Sequence, residues 1–471
     1  MESVTARENP GRGLDGARSL FTLPAIRFSR DDADVLILAG LVAATATFGP
    51  QFSLLAIGGH VLQITEIAML AVAALALRRH GWSASLGLLR TRLPLIALGI
   101  LWLSAAIALA RGLADFSASQ LVYDTRLFEY SLLLPIVVLA VDTRERAQLV
   151  LKALVLGALA GTIAFGLTAI SARVFNTTAW LADGEGEIGM AGLYAGIFLA
   201  WVVARLAAGI RPSRVEIAVA CLGVVLIGLT SKRAVWLAML ATLPLIAVTA
   251  APGRRLRLAL ASVLAVLAGL AVAIAIEAQF GEPVPKTGTA ESGGGSGGGQ
   301  VGAEIVGITG GDSTEGENVR WRISYWGELL SRSASEPVLG AGFGPARFRW
   351  EGQLYDFRTD SGADAANAAN DVTGPHNAFV STLYRTGIVG LAALIAVIVF
   401  PLGAAFRSWR RSDSPARRAE LVTIAGILVA ATAVACFSEA FRAQYLAIFF
   451  WVPLGLLMVE RGLDNEPAPA P

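Results

Sequence analysis

The chain has 471 residues, of which 55% are hydrophobic and 16% charged, and its formal net charge is +2. A soluble domain carries about 25% charged residues, so an ordinary soluble fold is excluded. The near-neutral balance gives no support to nucleic-acid binding.

The first 30 or so residues are polar. They carry Arg7, Arg12, Arg18, Arg27 and Arg30 and lack the apolar core of a signal peptide. Residues 1–33 therefore read as a disordered cytoplasmic tail. Long apolar runs follow, each near the roughly 20 residues that cross a bilayer as a helix. They predict helices near 35–52, 58–77, 93–110, 127–141, 149–171, 188–208, 215–230, 234–250, 257–276, 379–404, 420–436 and 444–459. The first boundary has two readings, because the run from Val35 can also pass Pro50 and turn at Gly58-Gly59. The expected fold is all-α: a polytopic membrane helix bundle of about 12 transmembrane helices. Nine fall in 34–276 and three in 379–460. A long, partly helical loop at 277–378 separates them, and 461–471 is a short cytoplasmic tail.

Lys and Arg favour cytoplasmic connections. Alternate connections carry Arg78/Arg79/Arg90/Arg92, Arg144/Arg146/Lys152, Arg205/Arg211/Arg214, Arg254/Arg255/Arg257 and Arg407/Arg410/Arg411/Arg417/Arg418. This places both termini in the cytoplasm and the long loop outside, in the periplasm of a bacterial inner membrane. Cys221 and Cys436 fall at different depths, which disfavours a disulfide. No Cys/His cluster has zinc-ligand spacing, and no Walker or dinucleotide motif is present, so no cofactor is expected.

The loop of about 100 residues is too long for a connector. It holds a flexible stretch, Glu291 to Gly299, rich in Gly and Ser. Asn318 to Ser331 then reads as an amphipathic helix with Trp321, Tyr325, Trp326, Leu329 and Leu330 on its apolar face. A Gly-rich turn follows at Gly340-Ala341-Gly342-Phe343-Gly344, and the loop closes on Pro375-His376-Asn377.

Gly340-x-Gly342-x-Gly344, Pro375-His376-Asn377-x-Phe379, Leu383 and Gly387-Ile388-Val389-Gly390-Leu391 together resemble the signature of the O-antigen ligase and polysaccharide polymerase superfamily. So does Thr230-Ser231-Lys232-Arg233 at a helix end. The core of the resemblance covers roughly 215–405. The Gly-Ser stretch is not part of that signature, and the family often has an acidic residue near position 385, where this chain has Arg385. The resemblance implies a glycosyltransferase that takes a glycan from a polyprenyl-diphosphate donor outside the cytoplasm. The acceptor is lipid A core in ligases and another glycan in polymerases. Neither nucleotide sugar nor metal is implied.

The residues fit that chemistry. A departing diphosphate gains negative charge and needs fixed cations, and the planar fork of Arg suits phosphate. Candidates on the external side are Arg126, Lys232, Arg233, Arg320, Arg322, Arg347 and Arg385. The attacking hydroxyl needs a base near neutral pH, which suits histidine. His80 falls on the cytoplasmic side and His60 near a helix end, whereas His376 matches the motif, with Asn377 beside it to orient it or to contact a sugar. Each residue has a plainer reading. His376 can serve as a helix-end residue, Arg233 can snorkel to headgroups, and Asp124 can neutralise Arg126. Glu66 can make a buried hydrogen bond, and Asp32-Ala33-Asp34 can start a helix rather than hold a metal. A glycan flippase or transporter is the alternative from another class, but it would spread ionisable residues along several helices. A membrane scaffold is a third reading, and it would need no His-Asn pair with an Arg cluster.

Overall fold

The computed structural model describes residues 32–48, 55–57, 60–62, 64–116, 118–175, 185–229, 239–242, 245, 248–250, 256, 260, 264, 271, 314–344, 347–350, 353–356, 376–438, 441 and 444–465. The expected tail at 1–31, the Lys232-Arg233 pair and the Gly-Ser stretch lie outside the described residues, as does nearly all of the expected helix at 257–276.

The helices are α1 (Ala33–Phe48), α2 (Ile64–His80), α3 (Trp82–Arg92), α4 (Leu95–Asp115), α5 (Ala118–Ser131), α6 (Leu133–Ala140), α7 (Arg144–Phe175), α8 (Glu185–Ala207) and α9 (Arg214–Leu229). After the first part of the loop come α10 (Thr314–Ser333), α11 (Ala378–Arg411), α12 (Pro415–Ala435) and α13 (Gln444–Asn465). Two short antiparallel hairpins accompany them: β1 (Leu55–Ile57) with β2 (His60–Leu62), and β3 (Arg347–Trp350) with β4 (Gln353–Asp356). Five helical segments among the described residues are long and apolar enough to cross a membrane: Leu95–Asp115, Arg144–Ala164, Ala378–Arg411, Pro415–Ala435 and Leu446–Leu463. The apolar helices Ala33–Thr47 and Leu193–Ala207 are shorter.

Three departures from the sequence reading have local causes. The run expected to begin a helix at 58 forms β2 instead, with Ile57 opposite His60 across the Gly58-Gly59 link, a sequence suited to a two-residue hairpin turn. The single helix expected over 127–141 is broken between α5 and α6. Pro135 sits in the first turn of α6; it offers no N–H and its ring crowds the carbonyl four residues back, at Ser131. The third departure is α3, an Arg-bearing helix in a stretch read as a connection.

Packing follows residue size. Gly157 and Gly161 on α7 form a Gly-x-x-x-Gly face against α1. A Cβ on Gly157 would stand 2.7 Å from the Ala46 Cβ, and one on Gly161 would stand 2.4 Å from the Ala46 carbonyl. Small residues let two backbones approach in this way where lipid supplies no hydrophobic drive. The centre of the bundle is α13, where residues 446–460 are all buried. Trp451, Phe449 and Phe450 fill it, and Phe441 packs on the Phe450 ring at 4.2 Å.

An ion-pair network ties the first turns of α1 and α7 to the last turn of α2. Asp32 pairs with Arg146 (2.5 Å), and Asp34 with Arg79 (2.8 Å). Asp142 lies 2.9 Å from Arg146 and 3.4 Å from Arg79. The acidic pair singled out in the sequence is therefore held by guanidiniums. His80 belongs to the same network, 3.1 Å from the Leu139 carbonyl.

Candidate active site

The site is organised by a break in α11. Gly387 leaves helical geometry (φ 67, ψ −171), which releases the hydrogen bonds that Ile388 and Val389 would donate to the Tyr384 and Arg385 carbonyls. The segment Pro337–Gly342 takes their place. Ala341 N–H donates to the Tyr384 carbonyl (2.7 Å) and Gly342 N–H to the Arg385 carbonyl (3.1 Å). In return, Ile388 N–H donates to the Pro337 carbonyl (2.8 Å) and Val389 N–H to the Val338 carbonyl (3.4 Å). The approach leaves no room for side chains: a Cβ on Gly387 would sit 2.2 Å from the Val338 carbonyl, and one on Gly340 would sit 2.5 Å from the Gly387 nitrogen. This is the physical content of the glycines in the two motifs.

The far side of the turn docks on α4 and α5. Phe343 N–H donates to the Ala108 carbonyl (2.9 Å), and the Phe343 ring packs 5.5 Å from Phe128. Gly344 N–H donates to a carboxylate oxygen of Asp124 (2.9 Å). The other Asp124 oxygen pairs with Arg385 (2.8 Å), with both side chains 6% exposed. Arg385 also donates to Ser381, one turn earlier on α11. One buried carboxylate thus joins α5, α11 and the Gly turn. The surrounding crevice, lined by Asp124, Phe128, Phe343, Ser381, Thr382 and Arg385, has a volume of about 10 Å³, room for roughly one water.

His376 and Asn377 stand at the head of α11. Asn377 is its N-cap: its side-chain oxygen accepts from Phe379 and Val380 N–H, both at 3.0 Å. Such a cap is worth about 1 kcal/mol. His376 is half-buried and has φ 48, a left-handed conformation that costs a non-glycine residue energy. Backbone strain of this kind clusters at functional sites.

The other expected site residues divide. Arg126 is half-buried on α5, one turn before Glu129, which shares a hydrogen bond with Glu66 of α2. The Asp124 carboxylate, which in the sequence could also neutralise Arg126, pairs with Arg385 and accepts from Gly344 N–H. Arg385 does not present an open guanidinium to a substrate: it is buried against Asp124. Arg322, on α10, is half-buried and reaches the Phe437 carbonyl at 3.5 Å. Arg320 lies on the same helix, and Arg347 on β3. The buried face of α10 is Tyr325, Leu329 and Ser333, while Trp326 packs 6.4 Å from Phe437 and Leu330 is exposed. Burial alone would lower the Arg332 guanidinium, but the Glu328 carboxylate and the Tyr384 hydroxyl outweigh it and hold it above its ordinary value. That contact ties α10 to α11.

Sequence reasoning missed Arg111. It lies about one turn before the end of α4 and donates to both the Gly340 carbonyl and Glu336, holding the Gly turn from the outside. Its signal was a cation placed directly after an apolar run, on the side disfavoured by the positive-inside pattern. Among the described residues no group of His, Cys, Asp and Glu has the arrangement of a metal site.

These features define a helical membrane protein whose polar site is built on an interrupted helix and a loop that re-enters the bundle. Residues 217–395 match the family model described as O-antigen ligase, which supports the O-antigen ligase-like superfamily and agrees with the resemblance drawn from the motifs. The match spans most of α9, the loop, the Gly turn, His376 and the break in α11. It leaves out α4 and α5, which supply Arg111 and Asp124. No curated protein matches the chain. The family points to a membrane enzyme of the ligase or polymerase type in polysaccharide biosynthesis, with a lipid-linked glycan and a glycan acceptor as partners.

Proposed function

We propose that the protein is an O-antigen ligase-like glycosyltransferase of a bacterial inner membrane, with about 12 spans and its active face in the periplasm. It moves a glycan from a polyprenyl-diphosphate carrier to lipid A core or a similar acceptor. The observation that carries this reading is the docking of the Gly340–Gly344 turn into the break of α11. It brings the Gly340–Gly344 motif and the Gly387–Leu391 motif into one built site on the helix that His376 precedes. The acceptor hydroxyl attacks the anomeric carbon from the face opposite the carrier, the bond to the carrier phosphate breaks, and the configuration inverts. His376 takes the hydroxyl proton, and the carrier leaves as its diphosphate. Arg233 and Lys232, with Arg126, Arg320 and Arg322, neutralise that diphosphate. Asn377 positions the His376 backbone through its cap, and Arg385 acts through Asp124 to hold the turn. A polymerase that uses a second glycan as acceptor shares all of these steps.

In membranes supplied with lipid-linked glycan, transfer should persist in EDTA and be lost in Arg233→Ala, with Arg233→Lys restoring part of it because an ammonium keeps the charge without the paired donors. Loss on chelation, restored by magnesium, would indicate another transferase class; full activity of Arg233→Ala would return that residue to headgroup snorkelling.

The sidedness has its own test. In a Cys-free background, cysteines at 290–300 should label from outside the inner membrane, and a cysteine at 411 only after permeabilisation. The reverse pattern would move the whole site to the cytoplasmic face.

A further inference from the structure

The outer face of α11 gives the level of the bilayer. From Ile388 to Phe406 every exposed residue is apolar, the large ones being Ile388, Ile395, Val399, Phe400 and Phe406. Arg407, Arg410 and Arg411 follow, all exposed. The apolar stretch is about 27 Å long as a helix, close to the roughly 30 Å of hydrocarbon in a bilayer. With the guanidiniums at one limit, the other limit falls at the break beside Gly387.

Beyond the break the exposed surface passes from the helix to the loop. None of residues 376–387 is exposed. In their place stand Val338, 56% exposed, and Leu339, 38% exposed, beside Ile388, whose N–H donates to the Pro337 carbonyl. Glu336, two residues before Val338, is partly exposed and pairs with Arg111. A polar pair followed at once by two bare aliphatic side chains fits the boundary between headgroups and hydrocarbon.

The backbone of the turn is a second, independent observation. Water would satisfy the polar groups of an ordinary surface turn, whereas hydrocarbon cannot. Here the Pro337 and Val338 carbonyls accept from α11, and the Ala341, Gly342 and Phe343 N–H groups donate to α11 and α4. Gly340 N–H donates to the Glu336 carbonyl, and the Gly340 carbonyl accepts from Arg111. Pro337 has no N–H to satisfy.

We propose that Val338 and Leu339 are immersed in the leaflet on the side of the long loop, against lipid acyl chains, so that the loop enters the bilayer at the break in α11. The Gly turn then borders lipid on one side and the buried Asp124–Arg385 pair on the other. This assignment rests on α11 crossing the membrane and is independent of the chemistry at His376.

The test uses the full-length, otherwise Cys-free protein in vesicles of phosphatidylglycerol and phosphatidylcholine. A nitroxide is attached at Val338→Cys or Leu339→Cys, with Ile395→Cys as the reference inside the apolar stretch and Ser335→Cys as the reference in water. Collisions are measured with oxygen, which concentrates in hydrocarbon, and with a nickel chelate, which stays in water. Oxygen collisions should exceed nickel collisions at 338 and 339, with a ratio between those at 335 and 395. Nickel collisions in excess at both positions, as at 335, would overturn the proposal. Few collisions with either reagent would also overturn it, since protein and not lipid would then cover the pair. Wild-type protein supplies a check that needs no substitution. A photoreactive diazirine on the acyl chain of a vesicle lipid should mark the tryptic peptide 333–347 at Val338 or Leu339, read by mass spectrometry. Marking of Ile395 without marking of that peptide would count against immersion.

Discussion

Asp124→Ala is expected to lower the stability of the detergent-solubilised protein by about 3–5 kcal/mol, because it strands the Arg385 guanidinium in a buried site. The same change leaves Gly344 N–H without its acceptor, which raises the cost further. Thermal or SDS-induced unfolding measures the effect. The double variant Asp124→Leu with Arg385→Met should recover much of the loss, since an apolar pair of similar volume often replaces a buried ion pair at little cost. An unfolding midpoint for Asp124→Ala equal to wild type would show that the pair does not hold the Gly turn.

His376→Ala is expected to reduce glycan transfer by roughly 100- to 10,000-fold, the range for removing a positioned base. The unusual backbone at this residue allows a sharper comparison. Glycine adopts φ near 48 without cost, so His376→Gly keeps or relaxes the local conformation while removing the imidazole. If the imidazole is the base, His376→Gly should be as inactive as His376→Ala, and rate against pH should lose an ionisation in the histidine range, about 6.5. Retention of more than about a tenth of wild-type turnover by His376→Gly would make the residue a backbone element of the turn and leave the reaction to the Arg cluster.

Much of the bundle was legible because length and apolarity suffice to define a membrane-crossing helix. The runs at 93–110 and 188–208 became α4 and α8 with only small shifts at their ends. The missing parts depend on other information. α3 is not apolar enough to announce itself, and the break before α6 follows from one proline inside an otherwise continuous run. The motifs located the site, but its wiring is long-range. Asp124 had a plausible cation two residues away, and nothing in the local sequence points to its pairing with Arg385. Arg385 looked available for substrate for the same reason: a cation inside an apolar helix demands a polar partner, and the sequence does not say which. Glycine at 387 was visible as part of a motif, yet its conformation is set by a segment some fifty residues earlier.

That arrangement constrains how the protein is made. Before Pro337–Gly342 arrives, α11 has no reason to bend: an unbroken helix pairs every internal backbone group, which hydrocarbon demands of any segment that crosses it alone. After docking, the two carbonyls and two N–H groups released at the break are paired again, each with an atom of the turn. The bent form of α11 is thus a product of assembly and not a property of the segment. The turn is synthesised first, so during biogenesis it precedes the helix that it will open.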